Sequence, residues 1–301
     1  MQIEAGAVGI TCQKISEAEV FVNAGFKDLL ITYNLLGPDR VALLESLRAL
    51  AKIQVVADHP EVIRGLASRD RRVADPLGVL IEVDSGAHRC GIQDPSEVLA
   101  LAKLIEADPG LTFEGLMTYP APGRRREANG LLEAIQTRLS AQGIACNTVS
   151  SGGSPDMWLA HESSQVNEYR VGTYIYFDRS LLNRGVCQLE WCALTVIATV
   201  ISVHGTRFML DAGSKALTSD LMGCEGYGLI LEYPEADIVA LSEEHGHVDA
   251  RRCHPLPKLG EQVSILPNHA CPVSNLFDQV FEIDSQGQGS LVKVHARGKV
   301  G

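Results

Sequence analysis

His269 and Cys271 stand two positions apart in LPNHACPVSNLFD, with Pro267 before them and Pro272 after them. Neutral imidazole and thiolate are donors well suited to zinc. On an extended segment, side chains two apart point to one face, so the spacing predicts a pair of ligands. A closed structural zinc needs four ligands, and no Cys-x-x-Cys or His-x-x-x-His follows. Two protein ligands therefore predict an open site, completed by water and substrate, in which the cation is a Lewis acid. The competing reading is a pair of packed loop residues between prolines. His245, His247, Cys253 and His254 are rival donors with no second partner nearby in sequence.

A second group of residues suits an anion. Ser151-Gly152-Gly153-Ser154 runs into Pro155, and Gly172-Thr173-Tyr174 follows NEYRV. Glycines expose backbone N–H groups, and Ser154 before a proline opens a short helix. That combination makes an anion nest fit for phosphate. A lone Gly-Gly turn is ordinarily just a turn; two such loops in a matching context carry the argument. Arg89, in DSGAHRCG, offers fixed donors to a phenolate or carboxylate, or else is a surface arginine. Tyr119, ending FEGLMTY, is a cofactor hydrogen-bond partner or a core tyrosine.

Up to about residue 180, apolar runs alternate with helical patterns and position these groups. AVGITC (7–12), DLLITY (28–33), IQVVA (53–57), GVLIEV (78–83), FEGLMTY (113–119), CNTVS (146–150) and NEYRV (167–171) read as strands. Ser16 with Glu19, and Asp94 with Glu97 around Pro95, predict capping boxes, while Pro38 and Pro60 open two more helices. Near-continuous apolar strands, each followed by a helix, predict a parallel sheet buried on both faces. Seven strands are one short of a (β/α)8 barrel. Gln2–Ala5 followed by Gly6 reads as the last turn of a helix and its glycine stop. The expectation is a TIM-like barrel lacking its first βα unit, over residues 1–188. The Ser151–Ser154 and Gly172–Tyr174 loops then follow strands seven and eight, where such barrels bind phosphate. From 189 to 301, WCALTVIATVISV, TRFMLDAG and GEQVSILP predict a second, mostly antiparallel β domain.

The net charge of −11 argues against nucleic acid as a partner. The basic run Arg124–Arg126 reads as a solvated helix start. No apolar run is long enough to cross a bilayer, and the N-terminus lacks a secretory signal's basic flank. Eight scattered cysteines read as reduced thiols of a cytoplasmic protein.

Taken together, DSGAHRCG, SGGSP, EYRVGTY, DAGSKALTSD and LPNHACPVSNLFD resemble the D-threonine aldolase and D-serine dehydratase family, fold-type III pyridoxal-phosphate enzymes related to alanine racemase. The resemblance covers nearly the whole chain. It implies a barrel that binds pyridoxal phosphate, with Arg89 near the cofactor ring and Tyr119, Ser154, Gly172 and Thr173 as cofactor contacts. Arg170 matches an arginine that meets the pyridine nitrogen in alanine racemases. His269 and Cys271 match the ligands of a zinc or manganese ion. The implied activity is a lyase of small D-3-hydroxy amino acids: dehydration of D-serine or 3-hydroxy-D-aspartate, or retro-aldol cleavage of D-threonine. His-x-Cys is the dehydratase form, where aldolases more often carry His-x-Asp. A homodimer is the family expectation.

One departure matters. The family's Schiff-base lysine lies in a segment resembling RPHxKTHK, which is not among these residues. Lys14 and Lys215 are ordinary structural or surface lysines on this reading, so impaired activity is expected. Two alternatives remain: a non-catalytic pyridoxal-phosphate carrier, whose family lacks the β domain, and a racemase, which would want a catalytic tyrosine in that domain.

Overall fold

A computed structural model of the chain describes residues 1–67 and 75–301. Two compact units are present: Met1–Val171 together with Lys299–Gly301, and Gly172–Gly298.

The first unit is a parallel sheet of seven strands in sequence order: β1 (Ile10–Cys12), β2 (Asp28–Ile31), β3 (Lys52–Ala57), β4 (Leu77–Glu82), β5 (Leu111–Met117), β6 (Thr148–Gly152) and β7 (Glu168–Arg170). The crossovers are α1 (Ile15–Asn23), α2 (Pro38–Arg48), α3 (Pro60–Leu66), α4 (Pro95–Glu106), α5 (Arg125–Ser140) and a 3-10 segment, Ser154–Glu162. This is the expected TIM-like architecture with seven strands, nearly closed into a barrel, and every strand read from the sequence is present. All six residues of β4 are buried, as a sheet covered on both faces requires. Leu30, Val56, Leu80 and Met117 form an inner cluster, while Leu29, Ile31, Val55, Val79 and Ile81 pack outward with helix residues such as Leu44, Ile63 and Ile105. Strand alternation therefore turns Asp58, Glu82 and Tyr119, two residues beyond Val56, Leu80 and Met117, toward the barrel interior at its C-terminal mouth.

Local chemistry sets the helix starts. Pro38, Pro60 and Pro95 each open a helix, and the Asp94 carboxylate accepts from the Ser96 N–H at 2.8 Å. The capping box of α1 differs from the expected one. Glu17, not Glu19, reaches back to the N–H groups of Gln13 and Lys14, at 3.1 and 2.8 Å. Ser16 and Glu19 instead hold the returning end of the chain: Ser16 Oγ donates to the Gly301 carbonyl at 2.7 Å, and Glu19 pairs with Lys299. Before β1, the N–H of Ala7 bonds the Gln2 carbonyl and that of Gly6 bonds the Ile3 carbonyl, both at 3.0 Å. With Gly6 at φ +104°, this is the glycine-stopped helical turn read from the sequence.

In the second unit, β8 (Val196–His204), β9 (Arg207–Leu210), β10 (Leu229–Ile230), β11 (Asp237–Leu241), β12 (Gly246–Asp249) and β13 (Gln262–Leu266) close an antiparallel barrel in the order β10-β11-β12-β9-β8-β13. Val200, Phe208, Leu210, Ile230, Ile238 and Ile265 fill it. A separate hairpin pairs β14 (Gln279–Ile283) with β15 (Gly289–Lys293). Short helices α6 (Arg179–Asn183), α7 (Ser214–Leu217) and α8 (Ala270–Leu276) complete the unit. The compact division falls ahead of the change in sequence pattern near residue 188. The reason is local: Arg179 and Ser180 donate their N–H groups to the carbonyls of Pro267 and Asn268, at 3.0 and 3.2 Å. Among the described residues no helix is long and apolar enough to cross a membrane, and all eight cysteines are free thiols.

Candidate cofactor and metal sites

At the mouth of the parallel barrel, β6 and β7 build a polar relay. Ser150 Oγ donates to Glu168 Oε1 at 2.5 Å and accepts from Arg170 Nε at 2.9 Å. Arg170 Nη2 also donates to the Thr118 carbonyl at 2.6 Å, which fixes the plane of its guanidinium. Burial brings the Arg170 guanidinium down to about 10, so it stays charged at neutral pH. Burial also pushes the Glu82 carboxyl up to about 7, opposed by the positive charge of Arg89.

Beside this relay lies the serine-glycine loop. Gly153 has φ +121°, and a Cβ there would come within 3.4 Å of the Tyr119 ring. Ser154 opens the 3-10 segment Ser154–Glu162 and is 5% exposed. Its Oγ has no hydrogen-bond partner among the described residues. An unpaired buried hydroxyl at a helix N-terminus is the donor that a phosphate oxygen would satisfy, so this site fits a phosphorylated cofactor. Arg89 stacks its guanidinium over the Tyr119 ring, 4.9 Å from the centroid. The structure thus brings Arg89, Tyr119 and the Gly153-Ser154 turn together.

The second unit holds the remaining predicted residues. Gly172 precedes a 3-10 turn, Thr173–Ile175, and Thr173 Oγ1 lies 3.5 Å from Cys271 Sγ. The His269–Cys271 segment is not extended, as the spacing argument took it to be. His269 is the last extended residue before α8, and Cys271 lies in that helix's first turn. The buried Asp178 stabilises the start by accepting from the Ala270 N–H at 3.0 Å. The pair stays together nonetheless, the imidazole and thiol close enough for each to shift the other's titration. His269 Nδ1 meets Asp220 Oδ2 at 2.8 Å. Burial opposes charge on His269, but Cys271 and Asp220 outweigh it and lift the imidazole to about 9. Burial likewise opposes the Cys271 thiolate, yet His269 and Thr173 bring that thiol below its ordinary value.

This donor set fits a cation. A carboxylate on Nδ1 leaves Nε2 as the ligating nitrogen, the usual arrangement of a metal-bound histidine. Among the described residues no group of three or more His, Cys, Asp or Glu side chains surrounds a metal position, so the protein offers two ligands and an outer carboxylate. Two of the rivals are engaged or buried: His247 Nε2 meets Ser242 Oγ at 3.0 Å, and Cys253 is in the β-barrel core, while His245 and His254 are exposed.

Sequence reasoning passed over Asp220, although it closes the quoted motif DAGSKALTSD. It also passed over Ser150, Glu168 and Glu82, which resemble any inward strand residues. Lys215 pairs with Glu244 on the surface, and Lys14 Nζ lies 3.7 Å over the Tyr33 ring. Arg125 is no solvated helix start. It is 7% exposed, paired with Glu162 at 2.5 Å and bonded to Ser163 Oγ at 3.3 Å.

Residues 1–180 match the family described as alanine racemase, N-terminal domain. The chain belongs to that family. Residues 193–283 match a putative serine dehydratase domain, so this alanine racemase-type barrel is followed by a dehydratase-type domain. The D-threonine aldolase of an Arthrobacter species is 31% identical over 99% of this chain and 81% of its own length. The crystal structure of D-threonine aldolase from Filomicrobium marinum matches with a TM-score of 0.88 at 29% identity, covering 99% of this chain and 84% of that one. D-threo-3-hydroxyaspartate dehydratase from Delftia sp. HT23 matches with a TM-score of 0.85 at 27% identity, over 97% of this chain and 85% of that one. Matching structures of a D-threo-3-hydroxyaspartate dehydratase also include a histidine-to-alanine mutant and, in a metal-free form, a cysteine-to-alanine mutant. This member of the alanine racemase N-terminal domain family therefore shares its fold with aldolases and dehydratases alike.

Proposed function

We propose that the chain is a pyridoxal-phosphate- and metal-dependent lyase of D-3-hydroxy amino acids, with dehydration favoured over retro-aldol cleavage. The observation that carries this reading is the His269–Cys271 pair with Asp220 on the imidazole, inside a dehydratase-type domain. The metal-free cysteine mutant of a dehydratase with this fold supports a cysteine ligand. When bound, pyridoxal phosphate supplies an electron sink for a carbanion at Cα, and zinc or manganese supplies Lewis acidity at the 3-hydroxyl.

The protein's own residues do the holding. Ser154 and the N-terminus of its 3-10 segment bind the phosphate. Arg89 and Tyr119 bracket the ring region, Arg170 offers a fixed cation toward the pyridine nitrogen, and Gly172 and Thr173 add contacts. His269 and Cys271 hold the cation, and Asp220 orients the imidazole. The reading includes a homodimer in a reducing cytoplasm.

No lysine of the 301 residues is read as the cofactor-bearing one: Lys14 lies over the Tyr33 ring and Lys215 pairs with Glu244, so binding of pyridoxal phosphate to these residues is expected without a covalent link. Borohydride treatment of the cofactor-loaded protein is expected to leave no pyridoxyl-lysine in its peptide mass map; an adduct on Lys14 or Lys215 overturns this part of the reading. Extending the N-terminus with a lysine-bearing strand of the family type is expected to raise turnover by about 10²-fold or more, the scale of general acid–base catalysis. Keto acid and ammonia from D-serine or 3-hydroxy-D-aspartate identify dehydration, and aldehyde with glycine from D-threonine identifies aldol cleavage. The absence of product from the extended protein with either metal overturns the lyase reading.

A further inference from the structure

The nest around Ser154 works only if the Gly153–Ser154 peptide faces the right way, and one side chain outside the predicted set decides that. Tyr169, in the middle of β7, donates its hydroxyl to the Gly153 carbonyl at 3.0 Å. The N–H of Gly153 meanwhile donates to the Arg170 carbonyl at 2.9 Å. Residue 153 is therefore tied to β7 at both its polar atoms, in a left-handed conformation, φ +121°, that favours glycine.

We propose that Tyr169 is the positioning residue of the phosphate cradle, orienting the Gly153–Ser154 peptide so that the Ser154 N–H and hydroxyl face the anion. This rests on the phosphate reading of Ser154 given above. The peptide is trans, so its carbonyl and its N–H point in opposite directions. With the carbonyl drawn to Tyr169, the Ser154 N–H is turned away from β7. That N–H belongs to the first turn of the 3-10 segment, where no intrahelical carbonyl takes it. The neighbouring Ser154 Oγ is the unpartnered buried hydroxyl already described. Were the carbonyl free to rotate, its oxygen could swing into the cradle and repel the anion that the N–H should attract.

The chemistry of Tyr169 suits a permanent donor. Burial pushes its hydroxyl up to about 12, so it keeps its proton at any pH the protein meets. The opposite side of the turn is closed by the Tyr119 ring, so the loop has little room to adopt another conformation. Farther along the 3-10 segment, the Gly123 N–H donates to the Asp156 carboxylate at 3.1 Å, which engages an anion that would otherwise compete with phosphate.

The test compares two ligands that differ only in the phosphate, pyridoxal phosphate and pyridoxal, by equilibrium binding to the 301-residue chain. Wild type is expected to prefer the phosphorylated form. Tyr169→Phe is expected to weaken pyridoxal phosphate and inorganic phosphate about 3- to 10-fold, the reach of one hydrogen bond, while leaving pyridoxal unchanged. Ser154→Ala is expected to show the same selective loss. A wild type with no preference for the phosphorylated ligand overturns the phosphate reading and this inference with it. A wild type with that preference, but a Tyr169→Phe variant that weakens both ligands equally or neither, overturns the positioning role alone.

Discussion

Replacing His269 with alanine is expected to empty the proposed cation site, lowering metal affinity by more than about 100-fold, because loss of an outer partner alone already costs about 10- to 100-fold. The geometry predicts a graded series. Among the described residues no third His, Cys, Asp or Glu completes a metal group with His269 and Cys271, so deleting the imidazole of the proposed site leaves one thiolate and water. Asp220→Asn keeps both donors and removes only the carboxylate 2.8 Å from Nδ1, so its loss is expected in the about 10- to 100-fold range. Cys271→Ser falls with His269→Ala, since a neutral hydroxyl is a poor substitute for a thiolate on zinc. Competition against a chromophoric chelator reads all three without reference to turnover. If His269→Ala holds zinc and manganese as tightly as the wild type, the cation is not bound there.

The barrel was legible because burial on both faces writes itself into sequence. The run LGVLIE in β4 is apolar for five residues and ends on a glutamate, the pattern of a short strand covered on both faces. The small antiparallel barrel was only partly legible. β8 shows its inward alternation from Val196 to Val200, but β10 is two residues long and β12, GHVD, carries two charged or polar residues in four. The site was legible where residue type is unusual, as with His269, Cys271 and the glycines before Ser154. It was illegible where the function comes from pairing across strands. Ser150 and Glu168 become a relay only through the register that sets them side by side, and Tyr169 gains a role only because β7 lies next to the Gly153 turn. The His-x-Cys spacing alone suggested an extended segment around His269, whereas Cys271 and Pro272 sit in the first turn of α8, where proline is tolerated. The Asp178 bond to the Ala270 N–H, from 92 residues away, is what lets the helix begin there.

Glu82→Gln is expected to stabilise the protein at pH 8 by up to about 3 kcal/mol and to leave stability near pH 4 unchanged. Glu82 is 3% exposed, the last residue of β4, on the face of the inner cluster residue Leu80. Burial lifts its carboxyl from an ordinary 4.5 to about 7, with Arg89 and Arg170 opposing the lift and Asp58 and Asp84 adding to it. Below pH 4.5 the group is protonated in folded and unfolded chains alike, so it contributes no penalty. Between 4.5 and about 7 the unfolded chain releases its proton first, and stability falls as pH rises. Above about 7 both states are ionised and the penalty is constant. The guanidinium of Arg170 stays charged across this window, so the difference in slope between wild type and Glu82→Gln reports the Glu82 carboxyl. A glutamine of the same shape cannot ionise and removes the penalty without opening a cavity. Urea midpoints at pH 5 and pH 8 read the difference directly. A Glu82→Gln variant that is less stable than wild type at pH 8 would show the carboxylate charged and paired with the arginines. In that case the mouth of the barrel holds a fixed ion network, where the buried position of Glu82 points to a carboxyl that keeps its proton near neutral pH until an added positive charge draws it off.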